Sequence, residues 1–126
     1  MNRHKPTAID LFCGVGGMSL GFEQAGFNVL AAFDSEQFNV DCHNRNFPST
    51  KAIQADLSQY NGEQLRALAR IRRRNIDVVF GGPPCQGFSI GGQRDLNDRR
   101  NLLIFDFARL VRQIRPKYFV MENVQG

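Results

Sequence analysis

The amino-acid sequence predicts a doubly wound α/β protein built on a mostly parallel sheet. Short, continuously apolar runs, suited to strands buried on both faces, alternate with stretches of helical period. A glycine-rich turn, Gly14-Val15-Gly16-Gly17, joins the first run to the first helical stretch, as in folds that bind nucleotides there. Size and composition agree. A chain of 126 residues makes one domain with room for a core, and 42% hydrophobic with 22% charged residues is ordinary globular usage.

Taken in order, strands are expected near 8–12, 29–33, 51–54, 76–80 and 118–121, and helices near 18–25, 36–46, 62–73 and 102–113. In the first helix Met18, Phe22 and Ala25 share a face, and Gly26 supplies the left-handed residue that ends it. In the third, Asn61 and Gln64 form a capping box, with Leu65, Leu68 and the stem of Arg72 turned to the sheet. In the fourth, Leu103, Phe107, Leu110 and Ile114 follow helical spacing before Pro116 stops it. No repeat, low-complexity tract or linker interrupts the chain, which reads as cut short after its fifth strand.

Sixteen basic against twelve acidic residues leave a formal +4, a mild lean toward polyanions. The arginines at 66, 70, 72, 73 and 74 read as a solvated helix face. Cys13, Cys42 and Cys85 are odd in number and contain no C-x-x-C pair, which argues against disulfides and against a metal site, and toward a reducing, cytoplasmic setting. The apolar run after the basic start is too short for a signal peptide or a membrane span.

Ligands of an open α/β sheet bind beyond the carboxyl ends of its strands, and polar residues collect there. The glycine turn comes directly after the first strand. Asp34 ends the second, twenty residues after Gly14, where an acid can accept from ribose hydroxyls. Asp56 ends the third; alone it reads as a helix cap, and together with the other two it favours a nucleoside. After the fourth comes Gly81-Gly82-Pro83-Pro84-Cys85-Gln86-Gly87-Phe88-Ser89, in which prolines stiffen the approach to a thiol and glycines loosen the downstream segment. A phosphatase loop would need arginine at 91 and finds Gly91. The fifth ends in Glu122-Asn123-Val124, beside Cys85 if the fourth and fifth strands are neighbours.

These motifs, in this order from "DLFCGVGG" through "GGPPCQGFS" and "DRRNLLIFDFARLV" to "ENV", resemble the N-terminal half of the cytosine carbon-5 DNA methyltransferases over nearly the whole chain. The resemblance implies a Rossmann-like methyltransferase fold using S-adenosylmethionine on duplex DNA. By position it assigns Phe12, Gly14, Gly16, Gly17, Asp34, Ser35, Asp56, Leu57, Pro83 and Leu102 to the cofactor. Cys85 becomes the nucleophile and Glu122 the acid that meets the cytosine, with Pro84, Gln86, Ser89, Asn123 and Val124 around the substrate. Asp98 falls in the segment near cofactor and lid, and Arg94, Arg99 and Arg100 could meet the phosphates of the flipped nucleotide.

Ser35 stands where the family more often has a bulky apolar residue, which implies weaker packing on the adenine. The family's Arg-x-Arg motif, target-recognition region and late cofactor-pocket segment fall outside residues 1–126, which implies a fragment, or a subunit completed by a C-terminal partner. An RNA (tRNA) cytosine methyltransferase and an inactive cofactor-binding remnant are the alternatives left open by these residues.

Overall fold

The computed structural model describes residues 4–84 and 102–123. Five parallel strands, β1 (Thr7–Leu11), β2 (Asn28–Asp34), β3 (Lys51–Gln54), β4 (Val78–Gly81) and β5 (Tyr118–Met121), lie in the order β3-β2-β1-β4-β5. Four helices connect them: α1 (Gly17–Gln24), α2 (Gln37–Asn46), α3 (Gly62–Leu68) and α4 (Leu102–Ile114). The order reverses between β1 and β4, the switch point at which such sheets open a crevice.

Alternation along the central strands feeds two cores. Ile9, Leu11 and Val79 pack with Leu65, Phe107, Leu110 and Ile114 of α3 and α4. Ala8, Val78 and Phe80 face the other way, onto Met18 and Phe22 of α1, where the Phe22 and Phe80 rings stack 3.9 Å apart. Every residue of β1 is buried, as a strand covered on both faces requires. Gly81 is glycine because β1 passes so close that a Cβ there would overlap the Leu11 carbonyl oxygen and press on Phe107.

The capping box of α3 is present: Asn61 Oδ1 accepts from Gln64 N and Gln64 Oε1 from Asn61 N, both at 2.8 Å. The far end of α3 departs from the sequence expectation. It stops at Leu68, five residues early, in a Schellman motif: Ile71 N donates to Arg66 O and Arg70 N to Ala67 O. Arg70 holds the left-handed conformation (φ 59°) usually given to glycine, at a cost of roughly 1 kcal/mol. Ile71, not Arg72, then turns into the core, while Arg72 and Leu68 are exposed. Of the expected solvated helix face, Arg70, Arg72, Arg73 and Arg74 therefore lie in a loop, while Arg66 stays on α3 and is half-buried.

β5 is an edge of the described sheet, and Tyr118, Phe119, Val120 and Met121 are all exposed. Among the described residues no helix is long and apolar enough to cross a membrane.

Candidate active site

The carboxyl ends of all five strands meet along one rim. After β1 the chain turns sharply through Phe12, itself left-handed (φ 60°), and Cys13 N donates to Phe33 O of β2. Gly16 precedes α1 at φ 110°, and a Cβ there would overlap the Phe47 ring, so no other residue fits both the backbone and the space. Among the described residues no side chain caps the amino end of α1. Its first-turn N–H groups and the positive end of its dipole face the rim.

Asp34 ties the glycine turn to the second strand. Its Oδ1 accepts from Gly14 N at 3.1 Å, and its Oδ2 from Glu36 N at 3.1 Å and Asn39 Nδ2 at 3.0 Å. A carboxylate offers about four lone-pair positions, so these three donors leave room for about one more, not for a pair of ribose hydroxyls without rearrangement. Asp56 is a cap, the role it would have on its own: Oδ1 accepts from Ser58 N at 3.0 Å and Ser58 Oγ at 2.7 Å. It also borders the cleft.

That cleft, about 250 Å³, is lined by Phe12, Asp34, Ser35, Asp56, Leu57 and Pro84, together with Leu103. It adjoins a wider hollow of about 590 Å³ bordered by Ser35, Asp56 and Leu102. Seven of the residues assigned by resemblance to cofactor or substrate therefore line two adjoining hollows. Pro84 lines the cleft whereas Pro83 is buried behind it, and Gly14, Gly16 and Gly17 sit beside it in the turn.

Across the crevice, parallel pairing of β4 with β5 sets Gly81 against Met121, and Glu122 N donates to Gly81 O at 2.9 Å. The Glu122 carboxyl lies over the backbone of Gly82, where an added Cβ would stand 2.7 Å from Oε2. Asn123 is next in the chain. Cys85, Gln86, Ser89, Val124, Asp98 and the arginines at 94, 99 and 100 lie outside the described residues. Gly82 stands three residues ahead of Cys85, so Glu122 flanks the chain that leads to the thiol.

Sequence reasoning missed two features. Asn39, in the first turn of α2, braces Asp34; its signal was a short amide five residues after a strand-end acid. Beneath the glycine turn lies a buried chain: Ser19 Oγ donates to Asp10 Oδ2 at 2.6 Å, and His43 Nε2 sits 2.9 Å from Ser19 Oγ. All three are essentially inaccessible. Burial pushes Asp10 up to about 7, against the Ser19 hydrogen bond and helped by nearby Asp34. Burial lowers His43, whose Nδ1 has no partner among the described residues. With Ser19 donating to Asp10, a neutral His43 protonated at Nε2 completes the chain. Cys13, beside this group, is pushed far above the ordinary thiol range by burial and by Asp10 and Asp34, which disfavours its thiolate.

Comparison with known proteins agrees with this geometry. The family model for C-5 cytosine-specific DNA methylase matches residues 7–126. Type II methyltransferase M.XorII of Xanthomonas oryzae is 48% identical over 122 residues, which cover 97% of this chain and 29% of that protein. Among solved structures, an E. coli prophage protein described as a DNA modification methyltransferase superposes with a TM-score of 0.83 at 42% identity, over 96% of this chain and 32% of the other. Spodoptera frugiperda DNMT2 superposes with a TM-score of 0.67 at 27% identity, over 96% and 36%. The chain thus spans about a third of the length of these relatives. A family match across almost every residue, on a sheet whose rim gathers glycine turn, acids and carboxyl, shows that the chain belongs to the C-5 cytosine-specific DNA methylase family.

Proposed function

We propose that this chain is the N-terminal part of a catalytic domain that transfers a methyl group from S-adenosylmethionine to carbon 5 of a flipped-out cytosine in DNA, through a covalent adduct on Cys85. The observation that carries the proposal is the Glu122 carboxyl lying over Gly82, on the approach to Cys85 and at the same rim as the cleft.

The cleft suits the cofactor chemically. Phe12, Leu57 and Leu103 offer apolar walls to a purine, Asp34 an acceptor to a ribose, and the uncapped start of α1 donors to a carboxylate. S-adenosylmethionine, when bound, supplies an electrophilic methyl group. Cytosine carbon 5 is too electron-poor to take it unaided. The Cys85 thiolate therefore adds to carbon 6 while Glu122 protonates or hydrogen-bonds ring nitrogen 3, leaving an enamine with electron density on carbon 5. After methylation a base takes the carbon 5 proton, that electron pair re-forms the 5,6 double bond as the thiolate leaves carbon 6, and ring nitrogen 3 returns its proton to Glu122. The base must leave the stack first, at a cost of a few kcal/mol, because neither ring face is reachable in a duplex.

A C-terminal part carrying the target-recognition region, in the same polypeptide or as a complementing subunit, completes the enzyme. The exposed apolar edge of β5 and the threefold greater length of relatives support this.

The test is covalent trapping on duplex DNA containing 5-fluorocytosine, because fluorine cannot leave as the proton does. The chain is assayed with S-adenosylmethionine, alone and with the segment of M.XorII that it does not match. A denaturation-stable adduct mapped by mass spectrometry to Cys85 is expected with the complement. Absence of an adduct from the complemented, folded protein would sink the proposal.

Gly82→Ala gives a finer probe of the carboxyl. Its Cβ meets the free end of a side chain, so stability should change by less than about 0.5 kcal/mol. Methyl transfer should nonetheless fall by about ten- to a hundredfold as Glu122 is displaced. Wild-type rates in this variant would separate the carboxyl from the chemistry.

A further inference from the structure

Beyond methyl transfer, we infer that the loops preceding β4 and β5 form a docking site for a nucleic-acid phosphodiester backbone, at the end of the sheet opposite the reaction rim. Because all five strands are parallel, the connection from α3 to β4 and that from α4 to β5 both lie at the strands' amino ends, and β4 and β5 are neighbours. The first connection carries Arg70, Arg72, Arg73 and Arg74; the second carries Arg115. All five are exposed, and among the described residues none of their side chains donates a hydrogen bond or joins an ion pair. Lys117, close by, is already paired with Asp77 at 3.2 Å. These five unneutralised guanidiniums outnumber the formal +4 of the whole chain, so the rest of the molecule sums to a slight acidic excess and the basic lean is concentrated here.

The patch is also built, not merely charged. Arg66 acts as a hub: its Nη1 donates to the carbonyls of Ile71 at 3.3 Å and Arg74 at 2.6 Å, and its Nη2 to Ile114 O at 2.6 Å. One half-buried guanidinium thus ties the carbonyls of the first connection to the end of α4 and fixes the loop that carries the others. Among the described residues, two of the three non-glycine residues with left-handed backbone are Arg70 and Arg115, each just past a helix end where glycine is the easier choice. The loop encloses a concavity of about 510 Å³ lined by Ala67, Ile71 and the four arginines of the first connection. Ile71 is buried, so the concavity presents no large apolar anchor of the kind protein interfaces use, while rigid planar forks match phosphate oxygens. The site is separate from the rim, so it would hold a stretch of nucleic acid other than the one that presents the target base.

A fluorescent dA·dT duplex is a suitable probe, since it contains no cytosine and its binding reads this site independently of methyl transfer. Anisotropy titrations across a salt series would compare the wild-type chain with R72E/R73E/R74E, with the neutral R72Q/R73Q/R74Q, and with R45E as a charge reversal on α2. Affinity at low salt should fall by about tenfold or more in the triple variants, and the slope of log affinity against log salt should shrink by roughly 2–3, with R45E unchanged. Circular dichroism checks the fold, and the glutamine variant carries the result if charge reversal impairs folding. Equal affinity and slope in wild type and the glutamine variant would overturn the inference. So would displacement of the duplex by polyglutamate at lower concentration than by unlabelled duplex, which would assign the patch to an acidic protein.

Discussion

Glu122→Gln is expected to lower methyl transfer by the complemented protein about 10²- to 10⁴-fold while leaving it folded. The amide keeps the shape of the side chain and can still hydrogen-bond to the base, but it cannot deliver a proton to ring nitrogen 3. Addition of the thiolate to carbon 6 would then place negative charge on a ring with no acid to receive it. Glu122 is exposed at the end of an edge strand, so its replacement removes no core contact and should change stability by less than about 0.5 kcal/mol. Cys85→Ser separates the two roles. A serine hydroxyl neither ionises nor leaves as readily as a thiol, so this variant should form no adduct with 5-fluorocytosine at any time, whereas Glu122→Gln should form it slowly. Single-turnover rates and the time course of trapping read both. A Glu122→Gln rate within about threefold of wild type would remove the carboxyl from the mechanism.

Much of the architecture was legible because it derives from local pattern. β3 and β5 have the bounds expected from the sequence, 51–54 and 118–121, and the Asn61 capping box closes as its spacing requires. The carboxyl end of α3 was not legible, because the residue that stops it is Arg70 in a conformation that sequence rules reserve for glycine. The decision is made by Ile71, which gains burial, and by Arg66, which collects the loop carbonyls; neither preference is local. The rim was legible in outline, since strand-end polar residues must converge once the sheet is parallel. Which atoms were already engaged was not. Asp34 is a recognisable strand-end acid, yet its three internal donors come from a turn, a helix start and a helix side chain that only the folded chain brings together. Asp10 was hidden in the same way, as one polar residue inside a run that reads as strand. Its partner Ser19 and Ser19's partner His43 belong to two different helices.

That buried chain gives a pH dependence in which two titrations oppose each other. Asp10 is raised from 3.8 to about 7, so the folded protein keeps a proton that the unfolded chain gives up above about pH 4. This contribution is complete below pH 4 and is lost as pH rises toward 7. His43 is lowered by burial, so the folded protein refuses a proton that the unfolded chain accepts below about 6.5. Its contribution is complete above 6.5 and is lost as pH falls. Below 6.5, as far down as the buried His43 refuses its proton, the two slopes oppose each other: folding exchanges a charged acid and a charged base for a neutral pair joined through Ser19. Asp10→Asn removes one slope and exposes the other. Urea denaturation of the variant should then show stability falling as pH drops below 6.5, by up to about 1.4 kcal/mol per pH unit, more steeply than in the wild type. The difference between variant and wild type should change by about 2–3 kcal/mol between pH 5 and pH 8, the variant faring better at pH 8. Comparing that difference at two pH values removes any fixed cost of burying the amide. His43→Gln in the same background should abolish the remaining slope. Parallel pH profiles for wild type and Asp10→Asn would mean that the buried acid is ionised throughout, and that the Ser19 hydroxyl alone compensates its charge.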